Sequence, residues 1–259
     1  MAIIFRNLPR GSTIGSGNYV FRHYGYEAPA VVIPDLCFTA EKAGSTVAMA
    51  VNGTPTKGQA FEYSTDGTNW SVFTPGTTTI TLANVRDKVY FHGDNTTVSE
   101  SSSIYYNFVM SGKIAASGNI MSLLDKTCQS TTIANNFCYY RMFYGCTSLT
   151  TAPALPATTL AASCYRNMFQ SCKSLTTAPA LPATTLATYC YNSMFYGCTS
   201  LQVYSSSGTG HTKAWRIPTS GSASSYTSQS RMFYNCPGSY KSTNSVSLNR
   251  TFYTQNTPV

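Results

Sequence analysis

Residues 138–163 and 164–189 are near-copies. CYYRMFYGCTSLTTAPALPATTLAAS runs without a gap into CYRNMFQSCKSLTTAPALPATTLATY, and 19 of the 26 positions are identical. A third copy opens at Cys190 (CYNSMFYGCTSL) and diverges, and a shorter echo, RMFYNC, stands at 231–236. A unit this short cannot bury an apolar face alone. A fixed period in the range of about 20–50 residues therefore predicts stacked units, a solenoid in which each turn touches only its neighbours. Spacing then assigns the columns. Leu149/Leu175/Leu201, Leu155/Leu181 and Leu160/Leu186 recur 26 apart, as do the Met-Phe pairs at 142–143, 168–169 and 194–195, and each set should form a ladder in the core. The stretch around each Met-Phe pair, bracketed by cysteines, reads as a short helical turn. SLTTAPAL reads as the strand-like side, short and broken because Pro153 and Pro179 cannot donate to a ladder. Tyr139, Tyr165 and Tyr191, fixed in one column, read as core.

The rest of the chain divides into segments. Residues 1–33 form a leader, glycine-rich at 11–17 and aromatic at 19–26, expected to act as an N-terminal anchor. Residues 34–112 carry short alternating runs with turn signals every 8–12 residues, the pattern of a β-sandwich-like domain. Within it AFEYSTDGTNWSVF reads as a hairpin, with Asp66-Gly67 at the turn and Trp70 and Phe73 on the return strand. The repeats occupy 113–259. Cys236 falls 38 residues after Cys198 rather than 26, which places a 12-residue insertion in the Ser/Gly/Thr-rich loop 203–230. Residues 237–259 should cap the open end.

Charge is scarce and asymmetric. Only 10% of residues are charged, against roughly 25% in soluble domains, and Ser, Thr, Asn and Tyr fill the surface instead, as in paratopes. All nine acids lie at or before Asp125. From Lys126 onward there are nine bases and no carboxylate. A field of one sign attracts polyanions: acidic polysaccharide, teichoic-type polymer, nucleic acid or an acidic protein face. A scattered cationic surface with no particular partner accounts for it equally well.

Catalytic chemistry finds little support. Glycan cleavage uses two facing carboxylates, and the repeat half has none. Glu62 and Asp66 fit strand and turn roles. GSTIGSG (11–17) lacks the strand-to-helix context of a phosphate loop. The expectation is a non-enzyme with no cofactor. Zinc is not expected, because the cysteine pairs are spaced C-x7-C and none of the three histidines adjoins one. Cysteines in adjacent turns would come within disulfide range, but small buried thiols stacking in a ladder are the reading favoured here. No run reaches the ~18 apolar residues of a membrane span. The N-terminal residues give no signal-peptide pattern, so no export route is expected. Candidate ligand-binding residues are those that vary within the otherwise fixed repeat, Tyr140, Arg141, Tyr144, Arg166, Lys173 and Tyr196, with Lys213, Trp215 and Arg216 in the inserted loop. Tyr, Trp and Arg are the residue types that anchor interfaces.

The pattern C-Y-x-x-M-F-x-x-C-x-S-L-T-x-A-P-x-L-P-A-T-T-L-A resembles the BspA-type leucine-rich repeat, closely over 128–201 and weakly over 230–236. The lead-in GKIAASGNIMSLLD (112–125) is similar to that found in such proteins of gut Bacteroidetes and their crAss-like phages. The resemblance implies a mostly β fold, a β-sandwich-like domain followed by a short leucine-rich-repeat solenoid with short helical turns. It also implies adhesion. Few repeats and no export pattern together favour a protein of a phage virion surface, a head or tail fibre or a capsid decoration protein, assembled in the host cytoplasm. Its expected partners are other virion proteins through the N-terminal region, a host cell-surface glycan or protein, and further copies of itself. Nucleic acid is not an expected partner. The alternative is a secreted bacterial adhesin on the cell surface.

Overall fold

In the stretch STVAMAVN (45–52) every second side chain from Ser45 to Met49 is buried, the period of a strand with one face on a core. This strand, β2 (Ser45–Asn52), lies between β5 (Thr79–Leu82) and β7 (Tyr105–Ser111), antiparallel to both. A second sheet has six strands in the order β4 (Ser71–Phe73), β3 (Phe61–Ser64), β6 (Lys88–Gly93), β1 (Leu36–Ala40), β8 (Ile114–Ser117), β9 (Leu149–Thr151). All its pairings are antiparallel except β8–β9, which is parallel. The two sheets meet through aromatic rings. Phe38 of β1 and Phe91 of β6 stand edge-on to Phe108 of β7, at 4.8 and 5.3 Å, the arrangement that aromatic quadrupoles favour.

This computed structural model describes residues 35–216, 220–221, 230–244 and 251–254, with backbone only at 213–216 and 220–221. The expected leader, 1–33, lies outside the described residues. The described chain is mostly β in several sheets. Its one helical element is a single 3₁₀ turn, Ile120–Leu123, capped by Asn119, whose side chain accepts from the Met121 amide. Among the described residues the sheets close no barrel.

Strand β9 belongs to the first repeat, so the six-stranded sheet runs directly into the repeats, and one continuous core joins the two parts. The join imitates a repeat. The Phe108 amide donates to the Met142 carbonyl at 2.8 Å, just as Phe143 donates to Met168 and Phe169 to Met194. The Phe108 ring stacks on Phe143 at 5.4 Å, and the column continues through Phe169, Phe195 and Phe233 at 5.2, 5.5 and 5.8 Å. The residues expected as core tyrosines, Tyr139, Tyr165 and Tyr191, are buried and stack in a second column.

The stretch expected to be a short helical turn is not a helix. Every fourth residue is left-handed: Phe137, Arg141 and Gly145, then Ser163, Asn167 and Ser171, then Tyr189, Ser193 and Gly197, with φ between 53° and 72°. Such residues interrupt a right-handed helix and turn alternate amides outward. Even-numbered amides bond within the repeat, as Met142 does to the Tyr139 carbonyl (3.2 Å). Odd-numbered ones cross to the next repeat: Phe137 to Ala162, Tyr139 to Cys164, Arg141 to Arg166, Phe143 to Met168 and Gly145 to Gln170, at 2.8–3.1 Å. A non-glycine left-handed residue costs roughly 1–2 kcal/mol. It persists here because the crossing hydrogen bonds require it.

The second cysteine of each pair closes this scheme. The thiols of Cys146, Cys172, Cys198 and Cys236 donate to the carbonyls of Phe108, Phe143, Phe169 and Phe195 in the preceding layer, at 2.9–3.1 Å. The Phe143, Phe169 and Phe195 carbonyls also accept the amides of Cys146, Cys172 and Cys198 at 3.1 Å, so each thiol adds a second, interlayer bond that needs a side chain both small and able to donate. All nine cysteines are free and buried. Burial pushes the Cys138 thiol up to about 11 and the Cys146 and Cys190 thiols up to about 12.

Strand structure in the SLTTAPAL segments is short, as expected. The first copy gives β9, and the second gives none. The inserted segment expected to be a loop is partly β. Its strands β11 (Val203–Tyr204) and β12 (Lys213–Arg216) flank β14 (Thr251–Thr254), antiparallel to both, while β10 (Thr185–Leu186) pairs in parallel with β13 (Ser220–Gly221). At the far end Phe252 and Tyr240 lie against Phe233, at 5.3 and 6.2 Å.

Two outcomes follow. A Cβ added at Gly145 meets no atom within 4 Å, so Gly145→Ala should cost about 1 kcal/mol through backbone strain alone. Ser171→Gly, in the same column, should stabilise by about half a kcal/mol; denaturant titration of the two variants reads the opposite signs. A thiol reagent added to native protein should modify almost no cysteine, and all nine should react once denaturant opens the column. Rapid native modification would contradict the thiol ladder.

Candidate functional site

Three columns of variable residues run side by side along the left-handed arcs. Equivalent positions are Tyr140/Arg166/Asn192/Ser230, Arg141/Asn167/Ser193/Arg231 and Tyr144/Gln170/Tyr196/Tyr234. Because the arcs are held in register by the crossing hydrogen bonds, these side chains, Tyr144 and Tyr234 excepted, line one groove of about 570 Å³. Its lining comprises Tyr140, Arg141, Arg166, Asn167, Gln170, Asn192, Ser193, Tyr196, Ser230 and Arg231.

Arg141 is the most constrained of these. Its Nη1 donates to the Tyr105 hydroxyl at 3.1 Å, and its guanidinium lies over the rings of Tyr144, Tyr140 and Tyr105, at 4.8, 5.2 and 5.4 Å. Cation–π contacts of this kind hold a planar guanidinium without neutralising it. Arg166 lies over Tyr189 at 5.3 Å. The Nε atoms of Arg141 and Arg166 are buried and make no hydrogen bond among the described residues, an uncommon state for a buried donor. Asn167 donates to the Gln170 side-chain oxygen, and Ser193 Oγ bonds to the Asn192 side-chain oxygen at 3.3 Å. No ion pair among the described residues engages Arg141, Arg166 or Arg231, and no carboxylate follows Asp125 in the chain. Chemically the groove offers guanidinium and amide donors to an anion or a row of hydroxyls. Its lining includes no carboxylate, histidine or cysteine.

The residues expected to bind ligand separate here. Arg141, Arg166, Tyr140 and Tyr196 come together in the groove. Tyr140 corrects its expected exposed role: it is 4% exposed, wedged edge-on between Tyr105 and Phe137 beneath Arg141. Tyr144 is 38% exposed and serves as a platform for Arg141. Lys173 is exposed but lies outside the groove lining. Lys213, Trp215 and Arg216 lie in β12, and their side chains are outside the described residues. Arg231 was missed, although its position five residues before Cys236 matches that of Arg141 before Cys146.

A second polar assembly lies in the N-terminal sheets. His92 Nε2 meets Glu62 Oε2 at 2.8 Å, and His92 Nδ1 lies 3.7 Å from Asp35 Oδ2. Trp70, expected on the return strand, instead precedes β4 and stacks on the His92 ring at 3.5 Å. Lys126 binds Glu62, and the Cys128 thiol lies 3.7 Å from Asp35. Each carboxylate is thus taken up by neighbours, and the assembly ties strands β3 and β6 to the turn at 125–128. These residues are scattered in sequence, which gave no signal for them. Asp66 closes the β3–β4 loop, accepting from the Thr68 and Asn69 amides at 2.8 Å.

No family model, curated protein or solved structure matches the chain.

Acid should weaken the fold. Hydrogen bonds from Lys126 and then His92 hold Glu62 below its ordinary range. Those from Asn69 and Thr68 hold Asp66 well below, and those led by the Thr127 hydroxyl lower Asp125. A depressed folded-state value gives stability above the unfolded carboxylate range that is lost as pH falls. Asp35, raised by burial, acts in the opposite sense. The thermal midpoint should therefore fall between about pH 6 and about pH 3. Asp66→Ala should start lower and lose less over that range.

Proposed function

We propose that the chain is a binding protein displayed on a phage particle, a head or tail fibre or a capsid decoration protein. In this reading the strands before the repeats form a β-sandwich-like base, and residues 1–33 join it to other virion proteins. The repeats form a short leucine-rich-repeat solenoid of the BspA type. Its support is the layer-to-layer bonding of alternate amides and the unbroken Phe column. The solenoid carries the groove to a host surface glycan or protein.

The observation that carries a binding role is the groove itself. Three arginines line it without an acidic side chain among the lining residues to neutralise them, and an uncompensated field of one sign recruits a partner of the other. Display on a virion rests on the resemblance of the repeat.

Antibody labelling of purified particles tests display, and binding of the whole chain to host cells tests the groove. Label should decorate the particle surface, and Arg166→Gln and Arg231→Gln should each weaken cell binding about tenfold. Label confined to bacterial envelopes would favour the secreted adhesin. Cell binding unchanged in both variants would remove the groove from the contact.

A further inference from the structure

The groove holds three arginines, in its first, second and fourth layers. Arg141 and Arg231 occupy the same column three layers apart, with the neutral Asn167 and Ser193 between them, and Arg166 lies one layer on from Arg141 in the adjacent column. Rings stacked in successive layers lie 5.2–6.2 Å apart. The first two cations therefore stand in successive layers, and a row of amide and hydroxyl groups, Asn192 and Ser193, separates them from the third along a groove that follows the stack.

We infer that the groove binds an acidic polysaccharide whose carboxylates are separated by neutral hydroxyl-bearing positions. The inference rests on the groove being the host-contact surface. A carboxylate accepts two parallel hydrogen bonds from one guanidinium. The side chains of Asn167, Gln170 and Asn192 match the hydroxyls between charges. Arg141 is already fixed by the Tyr105 hydroxyl and three ring faces, so little side-chain freedom remains to be lost on binding.

Nucleic acid fits less well. A strand presents an anion on every nucleotide, and proteins that bind it unspecifically add open aromatic faces for base stacking. Here the tyrosines of the groove are occupied: Tyr140 is buried, and Tyr196 stacks on Tyr234 at 5.4 Å.

The test is titration of the whole chain with hyaluronan (one carboxylate per disaccharide), polygalacturonate (one per sugar), neutral dextran and oligo(dT). At least one of the two carboxylate polymers should bind, more weakly as salt rises, while dextran and oligo(dT) should not. Arg166→Gln and Arg231→Gln should each weaken binding about tenfold. Lys173→Gln, which removes the same charge from an exposed site outside the groove, should leave it unchanged. Arg231 is exposed, so its variant should fold, and an unchanged thermal midpoint verifies this. Oligo(dT) or dextran binding as tightly as the acidic polymers would overturn the inference. So would an equal loss in Lys173→Gln, which would mark diffuse charge. Host-cell binding that depends on Arg166 without binding to either carboxylate polymer would also overturn it, leaving the groove reading intact. Cell binding indifferent to both arginine variants would remove the groove reading itself.

Discussion

Every layer from the first repeat onward depends on one hydrogen-bonding arrangement: alternate backbone amides leave their own turn and bond to the next. That arrangement dictates the left-handed residue at every fourth position, since only this conformation turns successive amides in opposite senses. It also dictates the side chains inside. Layers held about one hydrogen bond apart bring equivalent rings face to face, so a flat side chain such as Phe143 or Tyr139 packs upon its own copy. The phenylalanine carbonyls at 143, 169 and 195, each bonded to an amide of its own turn, take a second hydrogen bond from a cysteine thiol of the next layer. Backbone and core are thus satisfied by the same geometry, and neither could be changed without the other.

The stack does not start from nothing. A first layer with no predecessor would expose a full row of acceptors, and the N-terminal sheets supply the predecessor. Phe108, at the centre of β7, offers its amide, carbonyl and ring to the first repeat as a repeat would, and β8 offers an edge on which β9 pairs. The two parts share one core for this reason. At the opposite end, Phe252 and Tyr240 cover the last ring.

Much of this was legible in the sequence because period is a direct record of stacking. The Leu, Met-Phe and Tyr columns follow from the 26-residue spacing alone, and the brevity of the strands follows from Pro153 and Pro179. The conformation of the cysteine-bracketed arc was not legible. Its apolar residues recur at near-helical intervals, and what rules out a helix is the left-handed backbone of residues such as Phe137, Arg141 and Tyr189, types that carry no turn signature. The groove was half visible. Variable positions mark surface, so Arg141 and Arg166 stood out. Which variable positions share a face depends on how the arc folds, so the pattern alone does not separate Lys173, outside the groove, from Arg231, within it. The His92 assembly left no trace, since its members come from strands and turns far apart in the chain.

The near-identity of the repeats has a consequence for how such a protein changes over generations. Recombination between the DNA encoding 138–163 and 164–189 inserts or deletes one whole layer. Because each layer bonds only to its neighbours, the ring column stays continuous and the ends stay covered. What changes is the distance between Arg141, at the near end of the groove, and Arg231, at the far end. A single genetic event thus alters the spacing of charges offered to a ligand without disturbing the core. The architecture separates the part of the molecule that must be conserved to fold from the part that is free to track a changing target.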